Sequence, residues 1–338
     1  MNIQHAIQQL IDGHSLQRDE MVAVMRQIMS GDATDAQIAG LLVALRIKGE
    51  TVDEIAAAAI VMRELLTPVS IDCDYQVDIV GTGGDGAKLF NVSTASSFVA
   101  AAAGCHVAKH GNRSVSSSSG SADLLEAAGV NLSLTPAQVA RCIEQVGVGF
   151  MFALNHHSAM KHAIGPRKEL ATRTIFNVLG PLTNPAGVKN QLLGVYSADL
   201  VRPIADVLHS LGSERVMVVH ARDGLDEISL AGETLVAELK DGAISEYVIS
   251  PEQVGIDAQS LDALRVENAE QSLLLVKQAL SGVGAAADMV ALNAGAAIYV
   301  AGAAASWQQG VSMAQDVMSG QSVEKLQELV VFSRALSA

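Results

Sequence analysis

Apolar residues recur at helical spacing through the first 67 residues. Met21, Val22, Val24, Met25, Ile28 and Met29 mark one apolar face, and Ile38, Leu41, Leu42 and Leu45 mark another. Thr34-Asp35-Ala36-Gln37 has the form of a helix start, with Thr34 as cap and Gln37 reaching back. Thr51-Val52-Asp53-Glu54 opens a third helix in the same way, to end before Pro68. With no β signal in this stretch, the pattern predicts a helical module. The period then changes. Gln76 to Val80 predicts a short strand running into Gly81-Thr82-Gly83-Gly84-Asp85-Gly86, after which Asn91-Val92-Ser93-Thr94 caps a small-residue helix ending near Gly104. His106 to Lys109 predicts a second strand, which runs into His110-Gly111-Asn112-Arg113-Ser114, and a helix follows from Ser121. Further strands are expected at 147–153, 191–196 and 215–220, a hairpin at 234–249 around Asp241-Gly242, and helix again over 267–338. Strand, loop and helix in repetition is the α/β pattern, in which ligands sit at the carboxyl ends of the strands.

The segment 166–190 departs from that rhythm. Pro166 and Arg167 open a predicted helix that leads to Asn177-Val178-Leu179-Gly180-Pro181-Leu182-Thr183-Asn184-Pro185, and three of the seven prolines fall here. Such a turn-rich stretch reads as a crossover between the α/β part and the helical module. The expected fold is therefore α/β, with a small all-helical N-terminal domain (1–70 with 170–190) and a larger α/β domain (71–169 with 191–338). Its central sheet should be mixed and mostly parallel. The apolar run 285–305 is broken by Asp288, Asn293 and glycines, and it predicts a buried helix rather than a membrane span.

Charge changes the picture at one place. The chain carries 36 acidic residues against 22 Lys and Arg, for a net charge of -14. That balance argues against nucleic-acid or anionic-membrane partners, and 3% aromatic residues argue against a base-stacking surface. Yet residues 86–122 contain no acid at all, only nine serines with Lys88, Lys109 and Arg113. Glycine amides, hydroxyls and a few cations are what binds phosphate oxygens. Two such loops at neighbouring strand ends suit a small substrate with phosphate at two positions. The glycine run fits G-x-G-x-x-G, but no acid follows to hold a ribose, and no Gly-Lys-Ser/Thr completes a Walker A loop. A nicotinamide-type reading using Arg113 and a plain tight turn stay open. Cys73, Cys105 and Cys142 lie far apart and are expected to be reduced thiols. The first residues have no basic start followed by an apolar run, so a cytoplasmic location is expected.

Motifs of high specificity lie along nearly the whole chain. Asp78-Ile79-Val80-Gly81-Thr82-Gly83-Gly84-Asp85-Gly86 is followed by Phe90-Asn91-Val92-Ser93-Thr94, then by Lys109-His110-Gly111-Asn112-Arg113-Ser114-Val115-Ser116-Ser117 and Gly120-Ser121-Ala122-Asp123. Arg173-Thr174-Ile175-Phe176-Asn177, the Gly180 to Pro185 run and Asp226-Glu227-Ile228-Ser229 complete the set. In content and order these resemble the anthranilate phosphoribosyltransferase family. The resemblance implies transfer of phosphoribose from phosphoribosyl pyrophosphate to the amine of anthranilate, with release of pyrophosphate, in tryptophan biosynthesis. It implies a homodimer joined through the helical domain, which the apolar helices at 21–45 would fit. Gly81, Gly84, Asp85, Leu89, Asn91, Val92, Ser93 and Thr94 would line the donor site, as would Lys109 to Ser117 (including His110, Gly111, Asn112, Arg113, Ser114, Val115 and Ser116) and Ser121. Ser93, Asp226 and Glu227 would serve Mg2+. Gly81, Asn112 and Arg167 would face anthranilate, and His110 and His157 would line its entry.

Residue chemistry supports those roles separately. Paired carboxylates give Mg2+ hard oxygen ligands, and the planar fork of Arg167 suits an aryl carboxylate. No general base is evident, since the aniline nitrogen already offers a lone pair. His156 and His157 are adjacent and would point apart, so they do not make a metal pair; His156 is expected at the surface or in packing. Leu89, Leu154, Ser158 and Ala171 depart from residues common in the family. Pyrimidine nucleoside phosphorylases share the fold and a related Lys-His-Gly-Asn-Arg loop, so a phosphorylase is the alternative enzyme, and a non-catalytic phosphoribosyl pyrophosphate-binding regulator the alternative non-enzyme.

Overall fold

The computed structural model describes residues 1–113 and 118–336. The expectations for Ser114, Val115, Ser116 and Ser117 therefore lie outside the described residues. Four helices come first: α1 (Ile3–Ile11), α2 (Arg18–Ser30), α3 (Asp35–Lys48) and α4 (Val52–Leu65). Capping boxes begin α3 at Thr34 with Gln37, and α4 at Thr51 with Glu54, as the sequence predicts. The α/β part alternates β1 (Gln76–Gly81), α5 (Val92–Ala102), β2 (His106–Gly111), α6 (Ser121–Ala128), α7 (Pro136–Val146) and β3 (Val148–Phe152). Short α8 (Ala153–His156), α9 (Lys161–Leu170) and short α10 (Phe176–Leu179) make the crossover. Then come β4 (Asn190–Gly194), α11 (Val201–Ser210), β5 (Arg215–Ala221), β6 (Thr234–Lys240) and β7 (Ala243–Ile249). The chain closes with α12 (Ala269–Leu280), α13 (Gly284–Ala301), α14 (Trp307–Val317) and α15 (Gln321–Ala335).

The strands form one sheet of order β3-β2-β1-β4-β5-β6-β7. The pairings from β3 through to β5 are parallel, and β6 and β7 add an antiparallel hairpin. Its turn residues Asp241 and Gly242 both have positive φ, as a tight hairpin of right-handed strands requires. One face of the sheet packs on α5, α12, α13 and neighbouring helices. The opposite face of β4 to β6 shares a core with α11, the four N-terminal helices and the crossover, which contributes Ala163, Ile175, Phe176, Val178, Leu179 and Leu182. Helix α13 is long and apolar enough to cross a bilayer, but 83% of it is buried inside the chain.

One expectation needs correction, and the packing adds detail to two others. Pro166 does not open a helix: α9 begins at Lys161 and carries Pro166 inside it, buried, at the loss of one backbone hydrogen bond. Ala163 of α9 already packs in the core of the four N-terminal helices. From Asn184 the chain is already tied to the sheet, through Asn184 Nδ2 to the Ala108 carbonyl at 2.9 Å. Finally, most of the apolar residues at 21–45 are buried within this one chain, Val22 and Val43 only partly, so that burial needs no second subunit.

Glu54 shows what holds the helical module. Its buried carboxylate accepts from the Leu16 and Thr51 amides at 2.9 and 2.8 Å and from Lys48 Nζ at 2.9 Å. Removing one partner of a buried pair typically costs about 3–5 kcal/mol. Glu54→Ala should lower unfolding stability by that order in urea titrations. A loss below about 1 kcal/mol, the range of a surface pair, would show that the carboxylate is not what ties the α1–α2 loop, α3 and α4 together.

Candidate active site

A cleft of about 620 Å3 opens where β1, β2 and the loop after β5 end, with the crossover as its other wall. It gathers nearly every described residue expected at the site: Gly81, Gly84, Asp85, Leu89, Asn91, Val92, Ser93, Lys109, His110, Gly111, Asn112, Arg113, Ser121, His157, Arg167, Asp226 and Glu227.

At one end the glycine run turns from β1 toward α5, with Gly83, Gly84 and Gly86 at φ of 65°, 80° and 74°, values that few other residues adopt. The Gly83 amide donates to Asp226 Oδ2 at 2.6 Å. Gly81 and Gly194 pair across β1 and β4. A side chain on Gly81 would collide with the Asp226 carboxylate, and one on Gly194 with its backbone carbonyl. Both glycines are therefore the room in which the Asp226 loop lies flat on the strand ends. Asn91 stands at the N-cap of α5 but, contrary to expectation, makes no capping bond. Its Oδ1 instead accepts from Ser119 Oγ at 2.9 Å and Ser272 Oγ at 2.7 Å, and its Nδ2 donates to the Ser119 carbonyl.

The charges at this end are crowded. Lys109, 3% exposed, donates through Nζ to the Ile79 carbonyl at 2.6 Å and to Ser93 Oγ at 3.1 Å. Burial lowers the pKa of its ammonium, against the pull of Asp78, Glu227 and Asp226. Burial drives the Asp226 carboxyl up to about 7; Asp85 adds repulsion, and the Gly83 amide opposes. Glu227 is pushed well above the usual carboxylate range by burial and then by Asp226, with Lys109 and the Ser93 amide opposing. Asp78, fully buried, is raised by burial to about 6 despite support from Asn184, Lys109, the His110 amide and Gln191. Ser93, Asp226 and Glu227 thus lie together as a hard-oxygen set short of positive charge, which fits a divalent cation. Among the described residues no group of three or more His, Cys, Asp or Glu could hold a metal by itself.

The other end is different in kind. Arg167 is half-buried, with its guanidinium 5.1 Å from the Phe176 ring centroid and no carboxylate in ion-pair reach among the described residues. The His110 and His157 rings lie 5.1 Å apart. Burial holds His110 down at about 3 and His157 at about 4, so both are neutral imidazoles at working pH. Their Nε2 atoms are buried without a partner among the described residues. His156 is a packing residue: buried, with Nδ1 at 2.8 Å from the Thr67 carbonyl.

Two expected residues are placed otherwise. Thr94 is buried below the cleft and does not line it, because the first turn of α5 points it into the protein. Arg113 reaches the rim, but its guanidinium is engaged by Glu126 at 2.7 Å and Asp123 at 3.2 Å, so its charge is already matched. The sequence places Asp78, Asn184 and Arg173 in its motifs but gives them no role, and it does not single out Gln191, Ser119, Ser272 and Gly194. A lone charge within an otherwise apolar strand was the available signal for Asp78; Ser272 carried none.

The chain matches two family models: the glycosyl transferase family a/b domain over residues 74–322, and the glycosyl transferase family helical bundle domain over residues 4–66. An anthranilate phosphoribosyltransferase of Cellvibrio japonicus is 62% identical over 342 residues, covering 99% of this chain and all of that one. One of Chromohalobacter salexigens is 61% identical over 338 residues, covering 100% and 98%. Among solved structures, anthranilate phosphoribosyltransferase of Thermus thermophilus superposes with a TM-score of 0.92 at 45% identity, covering 97% of this chain and 99% of that one. The Saccharomyces cerevisiae enzyme in complex with PRPP and Mg superposes with a TM-score of 0.89 at 26% identity, covering 98% of each.

The crowded carboxylates make a prediction about stability. Folding raises Asp226 from 3.8 to about 7, so between these values the folded protein holds a proton that the unfolded chain has lost. Its contribution to stability is therefore lost as pH rises from about 4 to about 7. In metal-free, substrate-free protein, Asp226→Asn should raise the melting temperature at about pH 8 and leave it near wild type at about pH 4. Calorimetric scans at both pH values check this. A variant less stable than wild type at the higher pH would mean that the carboxylate is adequately compensated in the free state.

Proposed function

This chain belongs to the anthranilate phosphoribosyltransferases of the glycosyl transferase family, and we propose that it transfers the phosphoribosyl group of 5-phosphoribosyl 1-pyrophosphate to the amine of anthranilate in tryptophan biosynthesis. The observation that carries this reading is the cleft's two unlike ends. Glycine amides, hydroxyls and paired carboxylates stand at one end, and a half-buried guanidinium with no ion-pair partner among the described residues stands at the other. A phosphorylated donor fits the first and a carboxylate-bearing aromatic acceptor fits the second.

The chemistry is a displacement at the sugar C1. The aniline nitrogen donates its lone pair to C1, the C1–O bond breaks with its electrons leaving on pyrophosphate, and the nitrogen then gives up a proton to the departing pyrophosphate or to water. Arg167 fixes the acceptor carboxylate, and Phe176 beneath the guanidinium keeps its plane. The neutral rings of His110 and His157 wall the approach, and conjugate acids of about 3 and 4 make them poor bases at neutral pH. Catalysis by this chain is therefore positioning and charge placement rather than proton abstraction. Amides of the glycine run and the Ser93 and Ser121 hydroxyls bind phosphate oxygens. Ser93, Asp226 and Glu227 would hold Mg2+; the use of that ion is supported by the Saccharomyces cerevisiae relative solved with PRPP and Mg. Bound there, the ion supplies positive charge to the departing pyrophosphate.

We further propose that the chain acts as a homodimer in the cytoplasm. The family resemblance supports a dimer, as do Ile11 of α1 and Ile47 of α3, which remain 66% and 82% exposed on the helical module. Three unpaired cysteines suit a reducing compartment.

Arg167→Ala removes a charge-assisted contact worth about 1.5–3 kcal/mol, so the KM for anthranilate should rise roughly 10- to 150-fold while that for the donor changes little. A fluorescence assay of anthranilate consumption with donor and Mg2+ measures both, with thymidine and phosphate run alongside. Equal weakening for both substrates would remove Arg167 from the acceptor site, and turnover of thymidine alone would overturn the transferase reading.

A further inference from the structure

Arg173 lies on the crossover between α9 and α10, six residues beyond Arg167, outside every role assigned so far. Its Nη2 donates to the carbonyl of Gly84, in the middle of the glycine run. Its guanidinium also lies over the ring of Tyr196, with Cζ 4.3 Å from the centroid. Tyr196 follows β4, and its amide donates to Thr82 Oγ1 at 3.0 Å. The Thr82 amide in turn donates to the Gly194 carbonyl at 2.9 Å. The contacts form a closed brace: β4 holds Thr82, Tyr196 backs Arg173, and Arg173 holds Gly84. Further along the same loop, Arg265 Nη1 donates to the Ala87 carbonyl and the Val266 amide to the Lys88 carbonyl, each at 2.8 Å.

The loop needs such ties. Gly83 and Gly84 have no side chains to anchor them, and glycine loses the most backbone freedom on being fixed. Their shape is set by what grips the backbone. Arg173 is exposed and has no ion-pair partner among the described residues, so it does not serve a surface salt bridge.

We propose that Arg173 is a positioning residue that sets the Gly83–Gly84 backbone in its phosphate-binding conformation and ties it to the crossover that carries Arg167. The two ends of the cleft are then mechanically joined: a shift of the crossover moves the donor loop with it. The kinetic part of this proposal rests on the donor assignment above; the mechanical part does not.

The test uses the full chain with Arg173→Ala, Arg173→Lys, Tyr196→Leu and Tyr196→Phe. In substrate-free protein, amide hydrogen exchange over residues 81–88 should quicken about tenfold in Arg173→Ala and Tyr196→Leu, with the sheet unchanged. Tyr196→Phe keeps the stack and should match wild type, and Arg173→Lys should recover part of the protection. The donor KM should rise about tenfold in Arg173→Ala, with the anthranilate KM and the melting temperature close to wild type. Unchanged loop exchange in Arg173→Ala would overturn the brace, whatever the assay gives. Faster exchange with an unaltered donor KM would overturn the positioning role. A wild-type chain that does not consume anthranilate would sink the activity reading and leave the exchange measurement to decide the brace.

Discussion

The Lys109 ammonium is buried at the carboxyl end of β2, bonded to the Ile79 carbonyl and Ser93 Oγ, with Asp78, Asp226 and Glu227 around it. One cation faces three carboxylates, so the free site is short of positive charge. Two like charges about 4 Å apart repel by about 4 kcal/mol at an effective dielectric near 20. An exposed helix pair such as Arg202 with Asp206 contributes about 0.3–0.5 kcal/mol. The cleft, rather than the surface salt bridges, therefore governs how this protein responds to pH and to cations. Adding a further carboxylate to the loops around Lys109 would deepen the deficit, which is the physical content of the acid-free stretch 86–122.

Steric room accompanies that charge. The Asp226 loop reaches the strand ends only because Gly81 and Gly194 face it side by side without side chains. The same closeness lets the Gly83 amide meet Asp226 Oδ2, so the carboxylate proposed for the metal and the glycine loop proposed for phosphate are joined directly by one hydrogen bond. Asn91 adds a second junction, drawing α5, the loop before α6 and helix α12 onto a single amide through Ser119 and Ser272.

The crossover gives the cleft its asymmetry. Because α9 and α10 join the helical core, Arg167 approaches the α/β strand ends from a different body of the protein. Two of the departures from the family pattern acquire a reason here. Ala171 ends α9 at a φ of 48°, a left-handed position that favours glycine, so alanine is tolerated at a cost of about 1 kcal/mol. Leu89 packs against the main core and pairs its backbone with Arg265, so its contribution to the loop is structural. Leu154 and Ser158 lie on the cleft wall, where nothing in the structure gives them a polar task.

Element types were legible in the sequence because their causes are local. Apolar period, the capping boxes at Thr34 and Thr51, and the Asp241-Gly242 turn each act within a few residues. The donor end was legible too, since its loops are continuous in sequence and its charge bias is a property of composition. What the tertiary structure alone decided are the partnerships across distance. Asn91 gave up its capping role to Ser272, 181 residues away. Arg113 was neutralised by a helix packed beside it, and Thr94 was turned inward. Asp78 found Gln191 113 residues on, and Gly83 met Asp226 across 143 residues. A side chain's charge state and direction depend on which groups the folded chain brings within a few ångströms. Local sequence specifies the strand that carries Asp78, but only the assembled sheet specifies what surrounds it.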